Sequence, residues 1–132
     1  MAVGLRVVLK KRAFTARVKK RIKFNLETVG RFLVSELQSQ VAIPFPPASK
    51  VGSSPHRRSG DLRTSFEFDV KQSLFSVTLR VFTDIAYALR LEFGFVGTDR
   101  LGRNINQGPR PYWRVVMAQN RTKIGVGVAR DP

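Results

Sequence analysis

The chain has 132 residues, a length suited to one domain, and its 42% hydrophobic content suffices for a single core. Its 24 Lys and Arg against 9 Asp and Glu give a net charge of +15, a field that implies a polyanionic or acidic partner more readily than a bare cationic surface. Without cysteine there are no disulfides, thiolate metal sites or cysteine nucleophiles.

No apolar run approaches the ~18 residues of a transmembrane helix, so no membrane contact is expected. The start of the chain lacks a signal-peptide apolar region, and nothing argues for secretion. Its Arg-rich, acid-free character superficially resembles an organelle transit peptide. That basic periodicity, however, continues smoothly into a long helix.

Residues Ala2 to Leu9 alternate loosely, with Val3, Leu5, Val7 and Leu9 on one side, and predict a short strand. From Phe14 to Val41 the spacing becomes helical: Phe14, Val18, Ile22, Leu26, Val29, Leu33 and Leu37 step by three or four. The first half of this helix carries Arg17, Lys19, Lys20, Arg21 and Lys23 before any acid. Lacking alternating partner charges, the run suits contact with nucleic acid or an acidic neighbour as well as simple solvation. Pro44 and the pair Pro46 and Pro47 stop the helix.

Residues 42–60 are a loop rich in Pro, Ser and Gly, with Lys50, His56, Arg57 and Arg58 adding positive charge. Loops this long in a compact domain are usually functional or else disordered when alone, ordering against a partner. The segment from Ser59 to Ser65 predicts a tight turn and one helical turn. Phe66, Phe68 and Val70 then alternate with polar residues, as do Phe75, Val77, Leu79 and Val81 after a short break. An antiparallel hairpin with one covered face follows, and the long helix is its cover.

The stretch from Asp84 to Gly94 is expected to organise the rest. Asp84 is the predicted helix cap and Gly94 the terminator. Ile85, Leu89 and Phe93 define one helical face, and Tyr87 and Leu91 a second stripe. Residues 95–109 read as an extended loop or small hairpin. Pro111 suits the first position of a helix to Asn120, with Trp113, Val116, Met117 and Asn120 inward. Ile124, Val126 and Val128, interleaved with Gly125 and Gly127, predict a terminal strand at 124–128. The expected fold is α+β in a single domain over 1–132. A long N-terminal amphipathic helix packs on a small antiparallel sheet, with two shorter helices.

No catalytic constellation is legible. His56 is the one histidine and has no partner at a metal or triad spacing. Glu67 and Asp69 share a strand face and read as a solvent or subunit-contact surface. Glu92 stands in an otherwise apolar helix and needs an ion-pair partner if buried, with Arg110 or Arg114 as candidates. Phe93, Phe95, Tyr112 and Trp113 alternate with arginines, a pattern open to base stacking, although core packing is the commoner fate. Neither a phosphate-binding loop nor a dinucleotide fingerprint is present. No catalytic, cofactor-binding or metal residue is expected, and the chain reads as no enzyme.

The motifs nevertheless assemble in a recognisable order. Ser59-Gly60-Asp61-Leu62-Arg63-Thr64-Ser65 comes first, then a hairpin. Tyr87-Ala88-Leu89-Arg90-Leu91-Glu92-Phe93-Gly94 follows, and after a variable loop Arg110-Pro111-Tyr112-Trp113-Arg114 opens the last helix. This order resembles the neck and tail-completion proteins of tailed bacteriophages, also described as head–tail joining or minor tail components. The resemblance covers Phe14 to Asn120. It implies a small α+β virion subunit in an oligomeric ring, commonly six-fold, at the head–tail interface. Its neighbours would be head-closure or connector proteins and the tail tube or tail terminator. Leu62, Arg63, Tyr87, Glu92, Phe93, Arg110, Tyr112 and Trp113 would define the fold or the interfaces. Lys19, Lys20, Arg21, Lys23, Arg57 and Arg58 would make electrostatic contacts, either with acidic neighbours or with genomic DNA in the channel. The family has no known catalytic residues and needs no cofactor. The alternative is a basic nucleic-acid-binding module that reads shape and charge.

Overall fold

The computed structural model describes residues 3–10, 15–43, 50–52, 60–98 and 100–128. His56, Arg57 and Arg58, the loop prolines and Phe14 lie outside the described residues. Strand β1 (Val3–Lys10) is followed by helix α1 (Ala16–Gln40). Then come α2 (Asp61–Thr64), β2 (Glu67–Gln72), β3 (Ser76–Thr83) and α3 (Ala88–Phe93). The hairpin of β4 (Phe95–Thr98) and β5 (Asn104–Gln107) leads to α4 (Trp113–Gln119) and α5 (Arg121–Val128).

Thr15 sets the start of α1, because its Oγ1 accepts the N–H of Val18 at 3.2 Å. The 25-residue helix buries Leu26, Val29, Gly30, Leu33 and Leu37, the later part of the stripe expected from its spacing, while Val18 of that stripe is exposed. Opposite it, β1, β3 and β2 form a three-stranded antiparallel sheet with β3 in the centre. Val77, Leu79 and Val81 point into the helix and are fully buried. Each such side chain contributes about 1.5–3 kcal/mol through burial. Gly30 permits the close approach, since a Cβ there would stand 2.5 Å from the Phe68 ring. Helix-on-sheet architecture is thus as expected, an α+β fold.

Three expectations need correction. Asp84 does not cap a helix: it is exposed, and α3 begins only at Ala88 with Tyr87 at the cap position. The cause is Thr83, fully buried, whose hydroxyl bonds Ser65 Oγ at 2.6 Å and accepts the Ile85 N–H at 3.4 Å. That anchor turns the chain before the helix starts. The buried residues of α3 are accordingly Ala88 and Glu92, while Phe93 is 57% exposed and Tyr87 is also exposed.

Pro111 precedes α4 rather than opening it. Tyr112 occupies the cap position and the first helical residue is Trp113. The N–H groups of Tyr112, Trp113 and Arg114 are engaged by Glu92, and proline has none to give.

Residues 121–128 are helix, not strand. Ile124 donates its N–H to the Asn120 carbonyl at 2.9 Å, so the chain resumes a helical turn directly after α4. Alternating Gly and Val imitates a strand period, but Ile124 continues the inward stripe of Val116 and Asn120 at helical spacing. Gly127 then lies against Val29 of α1, where a Cβ would approach Val29 Cγ2 to 2.7 Å.

Candidate functional site

The quoted motifs converge at the beginning of α4. A helix N-terminus leaves backbone N–H groups without intrahelical partners. Tyr112, at the cap position, makes no side-chain cap bond. Glu92 supplies the acceptor from α3 instead. Its Oε2 accepts the N–H of Tyr112 at 2.8 Å and of Trp113 at 3.0 Å. Its Oε1 accepts the Arg114 N–H at 2.9 Å and Arg114 Nε at 2.9 Å. The carboxylate is only 1% exposed, yet every bond it accepts comes from a positive or dipole-favoured donor. Arg114 is thus the ion-pair partner among the two candidates, and Arg110 engages α3 differently, donating its N–H to the Leu91 carbonyl at 2.7 Å.

Tyr112 completes the joint from the other side. Its hydroxyl donates to the Ala88 carbonyl at 3.0 Å, and the side chain is fully buried. Burial, followed by the charge of Glu92 and by Tyr87, pushes its phenol well above the ordinary tyrosine range. The Phe66 ring lies 5.9 Å from Tyr112 and 6.1 Å from Trp113, both tilted, as aromatic pairs prefer. Leu62 joins the same core from α2, while Arg63 is exposed. Tyr112 and Trp113 are therefore packing residues with no face open for a base.

Phe93 is different. Arg114 lies 4.9 Å over its exposed ring, and Arg90 covers Phe95 at 4.0 Å. The cations thus mask two aromatics at the surface.

The basic group of α1 is separate from this joint. Lys20 and Lys23 are exposed, Lys19 and Arg21 half-buried. Lys23 meets Glu27 at 3.9 Å, a loose pair. The first turn of α1 contains no acid. Of the α1 cations, Arg17 and Lys19 stand in the first turn, at the positive end of the helix dipole, where each weakens the helix by about 0.3–1 kcal/mol. Phe24, 63% exposed, lies next to Lys23 in the chain.

On the sheet face turned away from α1, Asp69 is not idle: it binds Arg80 at 2.7 Å and raises that guanidinium above its ordinary range. Arg80 also stacks 4.4 Å from the Phe82 ring. Sequence reasoning missed the roles of Phe66, Thr83 and Ala88. Phe66 carried a signal in its alternation; a carbonyl acceptor such as that of Ala88 carries none.

Among the described residues, no group of three or more His, Asp or Glu side chains is arranged to hold a metal. Nor is any helix among them long and apolar enough to cross a membrane. Comparison with known proteins yields no match to this chain, whether a family model, a curated protein or a solved structure.

Proposed function

We propose that the chain is a structural protein of a tailed-bacteriophage virion. It forms an oligomeric ring at the head–tail interface and joins the tail to the DNA-filled head. Its partners are further copies of itself, commonly six in a ring, flanked by head-closure or connector proteins and by the tail tube or tail terminator. Its location is the virion neck, after assembly in the host cytoplasm. It carries out no chemistry.

One observation supports the reading above the others: the motif residues form one joint. Glu92 of the first helical box accepts bonds from Tyr112, Trp113 and Arg114 of the second, and Phe66, following the Gly-x-Leu-Arg box, packs on both aromatics. A motif order that resembles a family gains weight when its parts explain one another physically. Imaging particles by electron cryo-microscopy with and without the gene tests the proposal. Ring density at the neck, with unjoined heads and tails in the knockout, is expected. Intact infectious particles without the gene overturn it.

A second reading, a basic nucleic-acid-binding module, draws on the α1 cations, a run with no acid in the first turn and with the exposed Phe24 next to Lys23 in the chain. It requires duplex affinity that falls with salt at a slope of about −0.9 per phosphate neutralised.

A further inference from the structure

Helix α1 keeps one face open along most of its length. Its apolar stripe is buried against the sheet, and α5 lies along one flank, at Val29 and Phe32. Opposite the stripe, Arg17, Lys20, Phe24, Thr28, Arg31 and Ser35 follow one another at steps of three and four, and all are exposed. At 1.5 Å per residue this ridge runs about 21 Å from Arg17 to Arg31.

The acids of α1 do not neutralise the ridge. Glu27, four positions from both Lys23 and Arg31, is held by Lys23 at 3.9 Å. Glu36 is half-buried and lies four positions beyond Phe32, on the flank toward α5. Arg31 Nη2 instead lies 3.5 Å from Thr28 Oγ1, whose hydroxyl donates to the Phe24 carbonyl at 3.0 Å. A second helix adds a cation to the same side, since Lys123 of α5 stands 5.6 Å over the ring of Phe32, the chain neighbour of Arg31. Arg17, in the first turn, opposes the dipole of its own helix, a placement that solvation alone does not call for.

We propose that this ridge seats the phosphate backbone of duplex nucleic acid, with Arg17, Lys20 and Arg31 of α1 and Lys123 of α5 as the phosphate contacts. A duplex carries one charge per about 1.7 Å of its axis. Such a uniform polyanion matches cations strung along a straight helix rather than gathered at a point. Protein interfaces centre on apolar and aromatic side chains and are poor in lysine; the ridge offers one aromatic, Phe24, and no aliphatic. A lipid surface takes the apolar face of a helix, and that face of α1 is buried in the sheet. Contacts of this kind position the duplex and carry no sequence information. The inference rests on the nucleic-acid reading above. It moves the contact from Lys19 and Arg21, which are half-buried, and Lys23, which is paired, to the outward ridge.

The test is fluorescence anisotropy of a short mixed-sequence DNA duplex, titrated with the full chain at several salt concentrations. Phosphate contacts from these cations give a slope of about −3.6 in log affinity against log salt, so that affinity falls about 150-fold between about 50 and 200 mM. Lys20→Gln with Arg31→Gln lowers the slope by about 1.8 and leaves a fall of about twelvefold. Arg6→Gln with Lys71→Gln removes the same charge from the sheet face turned away from α1 and keeps the wild-type slope. The substituted residues are exposed, and circular dichroism checks the fold. Equal changes of slope in the two variants would overturn the ridge and retain nucleic-acid binding. Absence of duplex affinity in the wild type at the lowest salt would overturn both. Tighter binding of a single strand than of the duplex, with a loss of about tenfold or more on Phe24→Ala, would replace the duplex by stacked bases. Polyglutamate competing as well as the duplex at equal charge would replace nucleic acid by an acidic protein surface. Ring density at the neck of imaged particles is independent of all these outcomes.

Discussion

The side chain of Arg114 is joined to Glu92 twice. Arg114 Nε donates to Glu92 Oε1 at 2.9 Å, and Arg114 Nη2 donates to the Glu92 backbone carbonyl at 2.9 Å. One arginine therefore holds both the side chain and the end of α3, across the β4–β5 hairpin. The two members are unequal, since Arg114 is 56% exposed and Glu92 is buried.

That inequality predicts an asymmetric response. Glu92→Ala leaves three backbone N–H groups at the head of α4 without their acceptor, and should cost about 3–5 kcal/mol in urea unfolding. Arg114→Ala leaves the buried carboxylate without its cation but still holding three backbone N–H donors, and should cost less, about 1–3 kcal/mol. Equal losses would mean that the pair, rather than the cap, holds α4.

Tyr112 gives a pH dependence. Its phenol titrates higher in the fold than the ordinary value of 10.0 because of burial first and the Glu92 charge second. Above pH 10 the unfolded chain releases the proton that the fold retains, so the fold binds more protons and stability falls as pH rises. Below pH 10 that contribution is fully present. Tyr112→Phe should lose about 1 kcal/mol at neutral pH with the bond to the Ala88 carbonyl, and flatten the alkaline decline. Thermal melts between pH 8 and 11, on the order of the tyrosine range, measure both effects.

Gly125 and Gly127 separate by environment. A Cβ at Gly125 meets nothing, whereas one at Gly127 meets Val29. Gly125→Ala should stabilise α5 by about 0.5–1 kcal/mol through helix propensity. Gly127→Ala should give no gain, its propensity term offset by the clash. Circular dichroism during urea titration distinguishes them; a loss at Gly125 would contradict the helical assignment of 121–128.

Gly94 has φ +79° and ψ 174°, a region nearly restricted to glycine, and a Cβ there would lie 2.6 Å from the Gln107 carbonyl oxygen. Gly94→Ala should destabilise by about 3 kcal/mol and loosen the hairpin base. Hydrogen exchange at the β4 and β5 amides reads that loosening directly.

The elements with long, unambiguous periods were legible in the sequence. The stripe of α1 and the alternation of β2 and β3 place the core correctly, because burial acts on each residue of a repeated pattern. A charge among apolar residues also marked Glu92 as a paired group. Asp84 was misleading since capping is a local preference, and the Thr83–Ser65 contact spans distant segments. Alternation at 124–128 was too short to separate a strand from a helix with one exposed glycine and one packed on α1. Nothing in the letters marks the backbone N–H groups that Glu92 binds, because every residue but proline carries one.

β1 occupies one flank of β3, with Val3 opposite Thr83. A strand made first must therefore wait for one made much later. During synthesis the amphipathic α1 emerges before any of its sheet exists, and its apolar stripe is bare until β3 arrives. Closure of so distant a pairing is entropically slow, so completion of the sheet, rather than formation of the helix, sets the pace at which the chain reaches its fold.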